Sequence, residues 1–261
     1  MSGKNKKRIL NVFPVVSSAW NENAAREMEK YLAPGFELHH TNVAYGGMES
    51  IEGLYYMAVT VPYIVEEILR AEEEGYDAVT VNCAANPGVT EARELVRMPV
   101  VGAGEAACYL ALMLGSRVGL VSVGGTYRTP SHSAMMYDDR RLVRQLGLSE
   151  RIVSMRATGL PVEDLGERDV TMDALHKAGQ QCIEDGAEAL ILGCTGMTGY
   201  AEELQKRLDV PVVDPSVAAL KFAEMLITMN LAYSKLAIPS PDLVGAKCVM
   251  KYPPTLKGYH G

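Results

Sequence analysis

The chain has 261 residues and a mass of 28.3 kDa, which is more than one typical domain needs and little for two independent ones. Its hydrophobic fraction of 48% and mean hydropathy of +0.01 exclude a disordered protein and provide enough apolar side chains for a sizeable core. A formal net charge of −7 and a pI near 5.3 argue against nucleic acid or an anionic membrane as a partner. We therefore expect an ordinary globular chain that binds neither nucleic acid nor a membrane.

No segment is typical of an export signal or a membrane span. The apolar run that starts at Ile9 is short and contains Asn11, which favours a buried strand over the core of a signal peptide. The run Ala106–Leu114 is about half as long as a helix that crosses a bilayer. The five cysteines are odd in number and lack the spacing of metal ligands, so we expect free thiols, no metal site and a cytoplasmic protein.

Apolar runs and amphipathic segments alternate along the chain. The run RILNVFP at Arg8–Pro14 is typical of a buried parallel strand, and Pro62–Glu74 combines an apolar face with an acidic one, as an amphipathic helix does. The same criteria predict a helix at Asn21–Ala33 and further strands at Phe36–Asn42, Ala78–Asn82, Pro99–Gly102, Arg117–Val123, Ile152–Arg156, Ala189–Gly193 and Pro211–Asp214. Successive strand–helix–strand units predict parallel sheets with helices on both faces.

The second half of the chain repeats the first. The segment Gly75–Cys83 (GYDAVTVNC) aligns without gaps on Gly186–Cys194 (GAEALILGC), and a Pro-Val-Val triplet follows each copy. A cysteine at the same strand end in both copies indicates an internal duplication. We predict an α/β fold of two pseudo-symmetric, four-stranded parallel-sheet domains with the active site in the cleft between them. The first lobe is expected to contain residues 1–102 and 215–261, and the second lobe residues 103–214.

The paired cysteines are the candidate catalytic residues. Open parallel sheets bind ligands beyond the carboxyl ends of their strands, where Cys83 and Cys194 lie. Small residues follow both of them: Ala84, Ala85, Thr195 and Gly196. Helices predicted to begin near Val89 and Tyr200 would direct N-terminal amides at the cleft and lower the pKa of a thiol. Two thiols on opposite faces of one carbon, with oxyanion donors around it, form an apparatus for inverting a stereocentre.

Other chemically notable residues have simpler interpretations. Cys108 and Cys182 fall in apolar helical stripes and Cys248 lies near a proline-rich tail, so all three are expected to be inert. The segment Asp138–Arg141 is interpreted as a solvated helix start. The Gly-Gly turn at Gly124 has neither the spacing of a dinucleotide site nor a P-loop lysine, so no nucleotide cofactor is expected.

Three motifs resemble the aspartate/glutamate racemase superfamily, and within it the hydantoin racemases. They are NPGV followed by ARE after the first cysteine, LGCTGM around the second, and SMRATGLPV at Ser154–Val162. The resemblance covers about residues 75 to 225 well and Ser234-Lys235 more loosely. It implies two pseudo-symmetric α/β domains, proton transfer without a cofactor, and Cys83 and Cys194 as the two bases.

The resemblance also implies residues that hold the substrate. Members of the family open with an Asn-Pro-Asn motif and small hydroxyl residues, whereas this chain keeps the proline and the hydroxyls but neither asparagine. The Asp-Pro-Gly that follows the first cysteine in the family is Asn-Pro-Gly here. The expected substrate-binding residues are Pro14, Ser17, Ala84, Ala85, Asn86, Thr126, Tyr127, Thr195 and Gly196.

The expected substrate is a 5-substituted hydantoin or a related ring. Apart from Arg128, no Arg or Lys lies in the matched strand-end loops to hold the charges of a free amino acid. Aspartate/glutamate or allantoin racemisation and a maleate-type cis–trans isomerisation are the alternatives, while arylmalonate decarboxylases resemble this chain but keep a single cysteine. A two-lobed binding protein is the non-enzymatic alternative, although such proteins are normally exported. The apolar segment Leu220–Leu231 would support a homo-oligomer.

Overall fold

The computed structural model describes residues 6–44, 47–124 and 134–241. Its strands are β1 (Lys7–Phe13), β2 (Phe36–Asn42), β3 (Ala78–Val81), β4 (Val100–Gly102), β5 (Val118–Ser122), β6 (Ile152–Ala157), β7 (Ala189–Leu192) and β8 (Val212–Val213). They form two four-stranded parallel sheets, ordered β2-β1-β3-β4 and β6-β5-β7-β8. The predicted fold class is confirmed, and each predicted strand agrees with the structure to within one residue at either end.

Helices connect the strands and cover the sheets. They are α1 (Asn21–Tyr31), α2 (Leu54–Glu73), α3 (Val89–Leu95), α4 (Ala103–Leu114), α5 (Ala134–Gln145), α6 (Arg168–Glu184), α7 (Ala201–Leu208) and α8 (Pro215–Thr228). Strands β3 and β7 are fully buried and occupy the same place in their two sheets. The repeat seen in the sequence therefore corresponds to a repeat in space.

Helix α2 begins earlier than predicted. The sequence pattern placed its start at Pro62, because proline is favoured in the first turn of a helix. In the structure the helix begins at Leu54 and Pro62 lies inside it. The additional turns bury Met57 and Thr60, and the Thr60 hydroxyl donates a hydrogen bond to the carbonyl oxygen of Tyr56 at 2.8 Å. Tertiary burial thus extends the helix past the residue that local preference selects.

Helices α4 and α8 pack together where the two lobes meet. Both present small side chains to the shared core, among them Ala107 and Ala111 of α4 and Ala219 and Ala223 of α8, so the helices approach closely. Helix α8 also packs against α1, β3 and β4. Its N-terminus is capped by Asp214, whose carboxylate accepts the backbone N–H of Ser216 at 2.9 Å. The domain limits proposed from the sequence stay a prediction.

The described helices are too short or too polar to span a membrane.

Candidate active site

Both candidate cysteines lie in the wall of one cavity. Cys83 comes two residues after the end of β3, and Cys194 two residues after the end of β7. Because the two strands belong to different sheets, the cysteines reach the cavity from the two lobes. The space that water can occupy inside it is about 60 Å³. The cleft expected from the repeat is therefore present, with one cysteine from each copy.

The loops around the two thiols repeat the same hydrogen-bond pattern. The backbone N–H of Gly196 donates to the Sγ atom of Cys194 at 3.4 Å, and the backbone of Ala85 hydrogen-bonds to Cys83 in the same way. The carbonyl oxygen of Cys83 accepts the N–H of Asn86 at 3.1 Å, and that of Cys194 accepts the N–H three residues later at 3.0 Å. Each thiol is thus held by a tight turn that supplies one backbone donor to sulphur.

Burial controls the acidity of both thiols. It raises the pKa of Cys83 and that of Cys194 to about 12, although the backbone N–H groups of Ala85 and Gly196 act in the opposite direction. The expectation that helix N-termini would give these thiols a lowered pKa is therefore wrong. Loss of solvation around the sulphur outweighs the backbone donors.

Most of the other predicted substrate-binding residues also line the cavity. They are Pro14, Ala84, Ala85, Thr195 and Gly196. Ser17 and Asn86 are not in the described part of its wall. The side-chain oxygen of Asn86 accepts the backbone N–H of Gly104 at 2.8 Å, and its φ of 55° places it in the left-handed region, so it stabilises the turn that leads into α3. Thr126 and Tyr127 lie outside the described residues.

Several wall residues were missed in the sequence. They are Phe13, Val15, Trp20, Ser50, Ile51, Asn82, Met135, Val162 and Gly193. Asn82 and Gly193 directly precede the two cysteines, and that position in the repeat is the signal that would have found them. Phe13 and Val15 flank the predicted Pro14, and Val162 is the last residue of the motif Ser154–Val162, so sequence signals lay next to all three. No local pattern marks the others, which are Trp20, Ser50, Ile51 and Met135.

Comparisons with known proteins identify the family. The family model described as Asp/Glu/Hydantoin racemase matches residues 15–223. The hydantoin racemase of Pseudomonas sp. (strain NS671) is 40% identical over 193 residues, which are 73% of this chain and 74% of that protein. The hydantoin racemase of Paenarthrobacter aurescens is 34% identical over 231 residues, or 87% of this chain and 94% of that protein. The chain belongs to the Asp/Glu/hydantoin racemase family.

A solved structure of a related racemase has the same fold. The allantoin racemase from Klebsiella pneumoniae superposes with a TM-score of 0.84 at 30% sequence identity, over 91% of this chain and 94% of that one. This protein is accordingly an isomerase, a racemase, as the motifs around the two cysteines predicted.

A buried acidic pair lies beside the racemase cavity. Asp138 and Asp139 of α5 are 2% and 5% exposed, so the interpretation of this segment as a solvated helix start is wrong. Burial raises the pKa of Asp139 to about 7, and the ionised carboxylate raises the pKa of Cys83 and of Cys194. Asp139 follows the wall residue Met135 by one helical turn, which puts both on the same face of α5.

Within the described ranges, no group of three or more His, Cys, Asp or Glu side chains has an arrangement suited to a metal ion.

Proposed function

We propose that this racemase inverts the ring carbon of a 5-substituted hydantoin or a related ring by two-base proton transfer between Cys83 and Cys194. The observation that carries the proposal is the presence of both cysteines, one from each sheet, in the wall of one cavity. The hydantoin racemases among the relatives and the allantoin racemase structure support a ring of this kind.

The reaction needs only the two sulphur atoms and a carbonyl group next to the reacting carbon. One cysteine, as the thiolate, removes the proton from the ring carbon, and the electron pair of the broken C–H bond is delocalised onto the carbonyl oxygen. The other cysteine, as the thiol, then donates its proton to the opposite face and becomes the thiolate. The product has the opposite configuration, and the two cysteines have exchanged protonation states.

The character of the cavity wall favours an uncharged ring over a free amino acid. Its described residues are mostly apolar, such as Phe13, Ile51 and Val162, and none of them carries an ionisable Asp, Glu, Lys or Arg side chain. An amino acid with a free ammonium and carboxylate requires charged partners when it is desolvated. A hydantoin ring requires only hydrogen-bond donors and acceptors.

A panel of enantiopure substrates tests the proposal. We expect circular dichroism to show racemisation of 5-substituted hydantoins or allantoin and none comparable for aspartate or glutamate. Absorbance should show no isomerisation of maleate, which is achiral. Turnover of maleate or of the free amino acids, with the rings unchanged, would contradict the assignment of the substrate.

Replacement of each cysteine tests the two-base mechanism. Because a hydroxyl is far harder to ionise than a thiol, Cys83→Ser and Cys194→Ser should each lower racemisation by orders of magnitude. Each variant should still exchange the proton of one enantiomer with deuterated water, and the two variants should prefer opposite enantiomers. Uncatalysed exchange of the hydantoin is measured without enzyme and subtracted. Equal exchange of both enantiomers by both variants would show that the cysteines do not flank the carbon.

A further inference from the structure

Asn82 has a buried polar atom without a partner at the active site. It directly precedes Cys83, lines the cavity and is 3% exposed. Within the described part of the chain, its Nδ2 atom is buried and has no hydrogen-bond partner. A buried amide N–H that is not hydrogen-bonded is destabilising, and such groups are rare in folded proteins.

The rest of Asn82 is held by both lobes. Its side-chain oxygen, Oδ1, accepts a hydrogen bond from the Ser216 hydroxyl at 2.7 Å. Its backbone carbonyl oxygen accepts one from the Thr195 hydroxyl at 3.1 Å. Thr195 is the residue after Cys194, so Asn82 links the loops of the two cysteines. The side chain is therefore anchored at its oxygen, and its amide nitrogen has no partner among the residues that the structure describes.

We propose that the Nδ2 group of Asn82 donates a hydrogen bond to the carbonyl oxygen next to the reacting carbon of the substrate. The inference rests on the proposed function and adds a third catalytic residue to the two cysteines. As the proton leaves carbon, negative charge develops on that oxygen, and a donor fixed in advance in a site with little water stabilises it strongly. A neutral amide suits a ring carbonyl and offers no positive charge to a carboxylate.

Asn82→Ala tests the proposal against a matched control. Asn11 on the neighbouring strand β1 is 1% exposed, and both ends of its amide are paired, with Thr80 at 2.8 Å and His40 at 3.2 Å. It is absent from the described cavity wall. We expect Asn82→Ala to lower kcat for hydantoin racemisation by about 100-fold, as loss of one oxyanion donor does. Asn11→Ala should lower the melting temperature at least as much and change kcat only a few-fold.

Asn82→Asp adds a readout that a structural role would not produce. A neutral carboxylic acid at this position still donates a hydrogen bond, whereas the carboxylate accepts only and repels the developing negative charge. The ratio of variant to wild-type kcat/KM should therefore fall as pH rises through the pKa of the introduced carboxyl group.

The outcomes separate this inference from the proposed function. If the wild type racemises hydantoins and Asn82→Ala behaves as Asn11→Ala does, or the pH ratio of Asn82→Asp is flat, the role of Asn82 is overturned and the function stands. If the wild type racemises no ring in the panel, the function fails and the role of Asn82 fails with it.

Discussion

At the scale of single residues, both thiols occupy places where a negative charge is poorly solvated. Burial raises the pKa of Cys83 and Cys194 to about 12. A thiolate formed there is a much stronger base than one in water, which suits the removal of a proton from carbon. The same effect keeps the thiolate population small at neutral pH. Activity is therefore expected to depend on pH well above the range in which an ordinary thiol titrates.

Alkylation by iodoacetamide measures how the thiolate population depends on pH, because the thiolate is the reacting species. The rate at Cys83 and Cys194 should increase about tenfold per pH unit from pH 7 to 10, without the plateau that a free thiol reaches above its pKa of about 8.5. Peptide mass spectrometry assigns the modified cysteine, and glutathione serves as the control thiol. A plateau of the alkylation rate near pH 8.5 would show that burial does not raise the pKa of the two thiols.

Asp139→Asn provides a matched variant for the same measurement. The carboxyl group has a pKa raised by burial to about 7, so its negative charge near both thiols is present above that pH and absent below it. The variant should therefore alkylate faster than the wild type above pH 7 and at the same rate at pH 5. If the variant and the wild type are alkylated at equal rates at both pH values, the charge of Asp139 does not affect the pKa of the thiols.

At the scale of elements, helix α4 supports the loop that carries Cys83. A Cβ atom on Gly104, the second residue of α4, would lie 1.8 Å from the carbonyl oxygen of Ala84, a wall residue next to Cys83. The backbone N–H of Gly104 also donates to the side chain of Asn86 at 2.8 Å. The start of α4 and the cysteine loop are thus in direct backbone contact, and only a glycine fits between them.

Gly104→Ala should therefore displace the Cys83 loop. We expect a loss of about 1–3 kcal/mol in the free energy of unfolding, typical of overpacking, together with a large fall in racemisation. Gly166→Ala is the control, because a Cβ atom there meets no atom within 4 Å, and its stability should change by less than about 0.5 kcal/mol. Urea unfolding measures the free energy of unfolding, and circular dichroism measures the rate of racemisation. Wild-type activity in Gly104→Ala would contradict this contact.

At the scale of the whole molecule, the site is completed only when both lobes meet. The cavity between them has about 60 Å³ of space, whereas ligand sites commonly enclose about 300 Å³ or more. Trp20 at the start of α1 lies in the cavity wall and packs against the core of the second lobe. We infer that the lobes move apart to admit the ring and close around it.

The fluorescence of Trp20, the single tryptophan, should report that motion. Titration of a 5-substituted hydantoin into the Cys83→Ser/Cys194→Ser protein, which does not turn over, should shift or quench the emission in a saturable way. Trp20→Phe should abolish the signal and identifies its source. Unchanged emission at a ligand concentration that protects the wild-type thiols from alkylation would contradict the movement of the lobes.

The elements of the fold and the meeting of Cys83 and Cys194 at one cavity could be predicted from the sequence because their signals are local. Buried parallel strands are short apolar runs, and the duplication brings Cys83 and Cys194 to equivalent strand ends. The exception is helix α2, where a proline that usually marks a helix start lies within the helix. There, burial of the preceding turns decided the boundary.

By itself, the sequence determined the repeated α/β architecture, the racemase family and the position of Cys83 and Cys194 at equivalent strand ends. Only the tertiary structure decided that burial raises the pKa of both thiols and that Asp139 is buried. It also decided that the buried amide nitrogen of Asn82, a residue of the cavity wall, has no hydrogen-bond partner among the described residues. These properties depend on which distant segments exclude water or supply a hydrogen bond, as Ser216 does for Asn82 from 134 positions away. Solvation and hydrogen-bond pairing are properties of packed surroundings, so no pattern of neighbouring residues encodes them.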